Sequence, residues 1–320
     1  MAAKSYLLVA AAILIGASGA SAQTLGIASS AQGSFTFGAA SAIAKVVSQK
    51  SGMQMRVQAT GGSNIWMPQL NAGSLDFGAV TTFETWLAAN GKLIYRGKNS
   101  NLRAVAITVP LTPGIFVRKS SNIHSLKDLK GKRVSSGFTS QKIIGELMEA
   151  HLANAGLTYN DVTKVPAPNV VKAADDFARG KTDALFFALS SGKILQASAK
   201  VGGVRFLSLD SSAEAWGRLQ KLIPMAYQMH VKPAKRFHGV EKPSTAMAYD
   251  LMVNTHAGQK EETVYQVTKA IFENKKGMVA VFKPMLAFKP DGMVKKLSPL
   301  PYHPGAIRLF KEKGLWPPKK

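Results

Sequence analysis

The sequence contains no cysteine. That excludes a disulfide framework, a thiolate metal site, a cysteine nucleophile and a lipid-modified N-terminal Cys. Acidic residues are scarce, 18 Asp and Glu against 41 Lys and Arg, for a formal net charge of +23. The six histidines show no HExxH or other ligand spacing, so no metal centre is expected. No G-x-S-x-G elbow is present, since Gly73-Ser74-Leu75-Asp76 lacks the frame. Neither a P-loop nor a dinucleotide fingerprint occurs, and no cofactor is expected. The residues therefore make no positive case for an enzyme.

What remains is globular in kind. Hydrophobic residues make up 46% of the 320, charged residues 18%, with 28 Gly and 15 Pro and no low-complexity tract. The basic surplus is most visible from Lys275 to Lys320, where only Asp291 and Glu312 oppose it. Those lysines and arginines stand singly or in pairs around apolar residues, without the aromatic interleaving of a single-strand platform. A solvated basic face follows, with no nucleic-acid partner; its field suits anionic ligands or an acidic partner.

The first 22 residues read as an export signal. Lys4 supplies the charged start, Leu7 to Ile15 an apolar run, and Ala20-Ser21-Ala22 a small-residue cleavage site before Gln23. The run is too short to span a bilayer comfortably, and no later stretch approaches spanning length. The expected product is a soluble periplasmic protein cleaved after Ala22.

Beyond the leader, strand-like and helix-like segments alternate as in α/β domains with largely parallel sheets. Leu25 to Ala28, Met55 to Ala59 and Asp76 to Val80 read as strands. The first is followed by a helix whose Ala39, Ala40, Ile43, Val46 and Val47 share one face. Gly114 to Arg118, Lys132 to Ser136 and Asp183 to Ala188 are the strands of a second unit. Thr245 to Asn254 is expected to return to the first unit, followed by a helix over Glu261 to Asn274. Two crossings between lobes would permit hinge closure around a ligand. Pro68 fits an unbroken helix only if that helix starts near Met67. The Asp175-Asp176 pair is expected on a solvated helix face, and His230 and His238 in solvent.

Strand-exit loops are the candidate site. Gln32-Gly33-Ser34, Thr60-Gly61-Gly62-Ser63 and Thr139-Ser140-Gln141 each join a strand exit, small or hydroxyl residues and a helix start. Free backbone N–H groups and the helix dipole there face an anion. In open α/β sheets ligands bind at that edge. Phe35, Phe83 and Phe138 lie in these loops and are expected to wall an apolar pocket.

The chain resembles the TAXI family, the solute-binding proteins of TRAP-type tripartite transporters. The stretches that carry this are Gly33-Ser34-Phe35, Ala59 to Asn64 with Ala72 to Gly78, Asp128 to Val134, Gly180 to Phe187, and His303-Pro304-Gly305-Ala306-Ile307-Arg308 with Lys311 to Trp316. The resemblance implies a class II periplasmic-binding-protein fold, two lobes each with a mostly parallel sheet flanked by helices. It further implies capture of a small organic anion, a carboxylate or amino acid, for transient docking on a membrane-embedded TRAP permease. Where the family has paired tyrosines this chain has Phe35-Thr36-Phe37, and Gly137 to Gln141 replaces Gly-Ser-Gly-Thr. Both departures favour a ligand less polar than glutamate, or an aromatic carboxylate.

The expected organisation is a leader over 1–22, a first lobe over 23–108 and 249–320, and a second over 109–248. The expected ligand-binding residues are Gln32, Gly33, Ser34, Phe35, Thr60, Gly62, Ser63, Asn64, Thr82 and Phe83 from the first lobe, with Phe138, Thr139, Ser140, Gln141, Phe187 and Ser190 from the second. The protein is expected to act as a monomer without covalent chemistry. Alternatives are a binding protein of this fold serving an ABC importer or a sensor kinase, and a periplasmic hydrolase.

Overall fold

The computed structural model describes residues 24–318; the expected leader and its cleavage point lie outside the described residues. Along the chain run β1 (Thr24–Ser29), α1 (Phe35–Lys50), β2 (Gln54–Ala59), α2 (Ser63–Asn71), β3 (Phe77–Thr81), α3 (Thr82–Asn90) and β4 (Leu102–Leu111). There follow β5 (Pro113–Arg118), β6 (Arg133–Gly137), α4 (Ile143–Asn154), β7 (Thr163–Ala167), α5 (Val170–Ala178), β8 (Ala184–Ala188), α6 (Gly192–Val201), β9 (Val204–Phe206) and α7 (Ala213–Leu222). The remainder is β10 (Tyr227–Val231), β11 (Ser244–His256), α8 (Glu261–Glu273), α9 (Lys275–Val281) and α10 (Pro304–Glu312).

The first sheet runs β10-β11-β3-β1-β2, with β4 also on β11. The second group comprises β8-β5-β9 and the pair β6-β7. Asp183 joins the start of β6 to the residue before β8: its N–H donates to Arg133 O at 2.9 Å, and its carboxylate accepts the Arg133 N–H at 2.9 Å. The chain passes between sheets at Thr112, where β4 ends and β5 begins, and returns along β11, whose first half pairs β10 and whose second half pairs β3 and β4.

Local chemistry explains the elements near the site. Ser34 caps α1 by accepting the Phe37 N–H at 3.2 Å, and Ala39, Ala40, Ile43, Val46 and Val47 are buried on its inner face. In β3, Gly78 leaves room for the Trp66 ring of α2; a Cβ there would lie 2.3 Å from it. The Asp76 carboxylate accepts from Gly26 N–H at 2.8 Å and Gln259 Nε2 at 2.9 Å, tying β1 to the turn before α8.

Four expectations are corrected. The α2 helix starts at Ser63 and contains Pro68. The bond Pro68 fails to donate would reach Asn64, near the helix start, and burial of Trp66, Met67 and Leu70 offsets the loss. Thr82 and Phe83 belong to the first turn of α3, because Thr81 caps that helix. Within the two-lobed α/β architecture the strand senses are mixed: β1-β2, β1-β3 and β6-β7 are parallel, while β5 is antiparallel to β8 and β9 and β11 to β3, β4 and β10. Segments entering from the other lobe insert between locally wound strands and run against them. Finally, Asp176 is buried, with Arg179 at 2.7 Å and Lys181 at 3.4 Å drawn over it.

Candidate functional site

The loops expected to bind ligand meet across the two sheets. A Cβ on Gly61 would lie 2.6 Å from the Ser140 Cβ, and one on Gly62 would lie 2.8 Å from the Ser140 carbonyl oxygen and 3.0 Å from Gln141 Cα. Gly33 lies in the left-handed region at φ 87°, and a Cβ on it would lie 3.8 Å from the Val171 side chain of α5. Strand exits of the first sheet thus press on the β6 exit and the α5 start of the second.

Each side of this seam is held by its own bonds. The Thr60 hydroxyl donates to Ser29 O at 3.1 Å. The Ser140 hydroxyl donates to Pro168 O at 2.9 Å, and Gln141 Oε1 accepts the Val170 N–H at 3.2 Å. Phe138 follows Gly137, both at positive φ, 34° and 79°, so the turn after β6 holds a bulky residue in a conformation such residues seldom adopt. The N-terminus of α2 at the seam has no side-chain cap; of its first N–H groups, Ile65 donates to Gly62 O at 3.0 Å. The Asn64 Oδ1 is buried there without a hydrogen-bond partner.

Beneath the seam lies a polar cluster. The Ser63 hydroxyl donates to Glu84 at 2.6 Å and accepts from the Tyr95 hydroxyl at 2.9 Å; the Thr81 hydroxyl donates to Glu84 at 2.7 Å. Burial raises the Glu84 pKa against the lowering effect of those hydroxyls. Burial, with the Glu84 charge, pushes Tyr95 and Tyr249 well above the ordinary phenol range, so both remain donors. Glu84 and Tyr95 were not among the expected residues. The spacing Thr81-x-x-Glu84 is a capping-box signal that marks Glu84; Tyr95 has no local signal.

The other expected residues fall in three places. Gln32 and Thr139 are exposed at loop tips, and Ser190 is half-buried in the turn after β8. Phe35, Phe83, Phe138 and Phe187 are drawn into the hydrophobic core at 5%, 1%, 0% and 2% exposure, with Phe35 edge-on to Phe282 at 4.9 Å. Their rings anchor the loops, and the wall expected of Phe35, Phe83 and Phe138 becomes core: Phe35 and Phe83 sit in the first turns of α1 and α3, which place them inward, and Phe138 is buried by the tight turn after β6. Thr82 lines a separate cavity of about 130 Å³ with Trp86, Met225, Met252 and Lys296.

Among the described residues no group of three or more His, Asp or Glu is placed to hold a metal ion. No helix among them is long and apolar enough to cross a membrane. Of the histidines, His230 is exposed, while His238 is half-buried with its Nε2 2.7 Å from the Ser198 hydroxyl.

Solved structures share this fold. A Bordetella bronchiseptica RB50 protein aligns over 91% of this chain and 98% of its own at 14% identity and a TM-score of 0.57. A structure described as a periplasmic transporter covers 93% and 95% at 15% identity and 0.56. An R. palustris protein with adipate covers 92% and 94% at 17% identity and 0.56. The fold is that of two-lobed periplasmic binding proteins. The NMT1-like family model matches residues 27–314, through both sheets and the closing helix, and the chain belongs to the NMT1-like family.

Proposed function

We propose that the protein is an exported receptor that closes on a small organic anion, a carboxylate or amino acid, and delivers it to a membrane permease of the TRAP type. The carrying observation is the seam itself, where uncapped α2 and the strand exit at Gly61-Gly62 oppose Ser140-Gln141 of the other sheet. Backbone N–H groups at such a helix start favour negative charge. In this reading residues 1–22 are the leader, 23–108 with 249–320 form one lobe, and 109–248 form the other. The TRAP assignment rests on the TAXI-like stretches quoted above. No covalent step is involved.

Two features bear on ligand choice. Glu84 lies directly under the α2 start, where it accepts from Ser63, and burial raises its pKa, which lessens its repulsion of a bound anion. The adipate in the R. palustris neighbour makes aliphatic dicarboxylates a first class to try. The test is a thermal-shift screen of protein unfolded and refolded to strip captured ligand, against amino acids, aliphatic dicarboxylates and aromatic carboxylates. A ligand at about a hundred times its Kd adds about 2.7 kcal/mol of stability, a readily seen shift. The reading expects a carboxylate hit that Thr139→Ala weakens; no shift with any acid would overturn it.

A further inference from the structure

The segment from Lys275 to Lys296 presents an unusual outer face. Its inward residues Met278, Met285, Phe288 and Met293 are wholly buried, and Phe282 packs on Phe35 and over Gly38 of α1. The outward side carries Val281 at 46% and Leu286 at 56% exposure, two of the few large apolar side chains in solvent. In the same segment Lys276, Lys283 and Lys289 are exposed. Lys275, Lys276, Lys283, Lys289, Lys295 and Lys296 face one acid within the segment, Asp291, and include no arginine. Of the six only Lys295 has a carboxylate partner among the described residues, Asp250.

We propose that this face docks on an anionic lipid bilayer, with Leu286 and Val281 entering the headgroup boundary and the lysines engaging lipid phosphates. Lysine without arginine or outward aromatic side chains is the wrong composition for a protein-binding hot spot, where Arg, Tyr and Trp dominate and Lys is depleted. It suits a bilayer surface, where each lysine adds attraction, long ammonium stems reach the headgroups, and adjacent apolar side chains bury in the interface. The inward anchors fix these side chains on a rigid base, so docking needs no refolding. The proposal stands apart from the cleft, because it concerns a surface outside the Gly62–Ser140 seam.

The test uses the chain from Gln23 onward and sedimentation with vesicles of phosphatidylcholine, alone or with about one third phosphatidylglycerol. Because the whole protein is basic, the decisive comparison is between two triple variants of equal charge change. Lys276→Glu/Lys283→Glu/Lys289→Glu alters the proposed face, and Lys127→Glu/Lys130→Glu/Lys132→Glu alters exposed lysines of the other lobe. The expected result is salt-sensitive binding to phosphatidylglycerol vesicles that falls at least about a hundredfold in the first variant and less than about threefold in the second. Leu286→Gln is expected to weaken binding about tenfold at unchanged charge. In a separate readout that does not depend on the triple variants, Leu286→Trp is expected to show blue-shifted added emission with anionic vesicles only. Equal losses in both triple variants, absence of phosphatidylglycerol binding, or no effect of Leu286→Gln overturns the proposal. The last of these would leave a purely electrostatic face, suited to an acidic protein.

Discussion

Gly62 has no room for a side chain, because a Cβ would sit 2.8 Å from the carbonyl oxygen of Ser140 in the opposite sheet. Its φ of 177° is ordinary extended backbone, so the constraint comes from Ser140 and not from its own conformation. Gly62→Ala is therefore a selective probe of lobe closure. We expect unchanged helix content by circular dichroism, a larger separation between labels on the two lobes, and weaker affinity for any ligand found in the screen. An unchanged separation would show that the seam yields freely and does not limit closure.

Glu84 makes stability depend on pH in a sign opposite to most carboxylates. Its folded pKa is raised above the ordinary 4.5, so between that value and the raised one the folded state holds more protons than the unfolded. Stability from Glu84 is complete below the ordinary value and falls as pH rises through the folded pKa. Glu84→Gln removes the titration and keeps one acceptor oxygen, so one of the Ser63 and Thr81 hydroxyls turns to accept from the new amide. Its melting temperature is expected to match or exceed that of the parent at pH 7, with a flatter profile above pH 4.5. A variant that melts lower at neutral pH with the parent's pH profile would refute this.

Much of this was readable in the sequence where the determinants are local. The α1 stripe depends on residues within a few positions of each other and appears as expected, while Ser34, expected at the ligand, caps that helix. Strand sense was not legible, since β5 and β11 take their directions from crossings between lobes. The role of Ser63 was half legible. Its place at a helix start follows from the loop grammar, but its hydroxyl is committed to Glu84 and Tyr95, contacts made across the fold. Ser63→Ala and Thr139→Ala are thus unequal tests of the site, because only the former strips a partner from a buried carboxyl group.

Gly78 and Trp66 give a stability prediction independent of the site. The indole covers Gly78, and a Cβ there would lie 2.3 Å from it. Gly78→Ala overpacks the first sheet and is expected to cost about 1–3 kcal/mol, while Trp66→Ala opens a cavity and costs about 3–5 kcal/mol. Combining them should cost less than the sum, because the alanine methyl then enters space vacated by the indole. Urea titration of the three variants checks this, and strict additivity would show that the two residues do not share that space.

His303 should set part of the acid limit of the fold. It caps α10, accepting the Gly305 N–H on Nδ1 at 3.2 Å, while Nε2 lies 3.0 Å from Gln259 O as donor; this pairing requires the neutral ring. Burial, aided by the Arg103 charge, lowers its pKa below 6.5 against the opposing pull of Gln259 O. Between the lowered value and 6.5 the unfolded state binds more protons, so the stability from His303 is present above 6.5 and drains as pH falls through the folded pKa. Protonating Nδ1 removes the cap acceptor. His303→Ala is expected to cost about 1–2 kcal/mol at pH 7 through loss of the cap and its second bond. Its deficit relative to the parent should shrink as pH falls from 7 to 5, while an acid limb from buried His151, whose pKa burial also lowers, persists in both. Melting temperatures of parent and variant across that range decide it, and a deficit constant with pH would mean that the ring keeps its cap when charged.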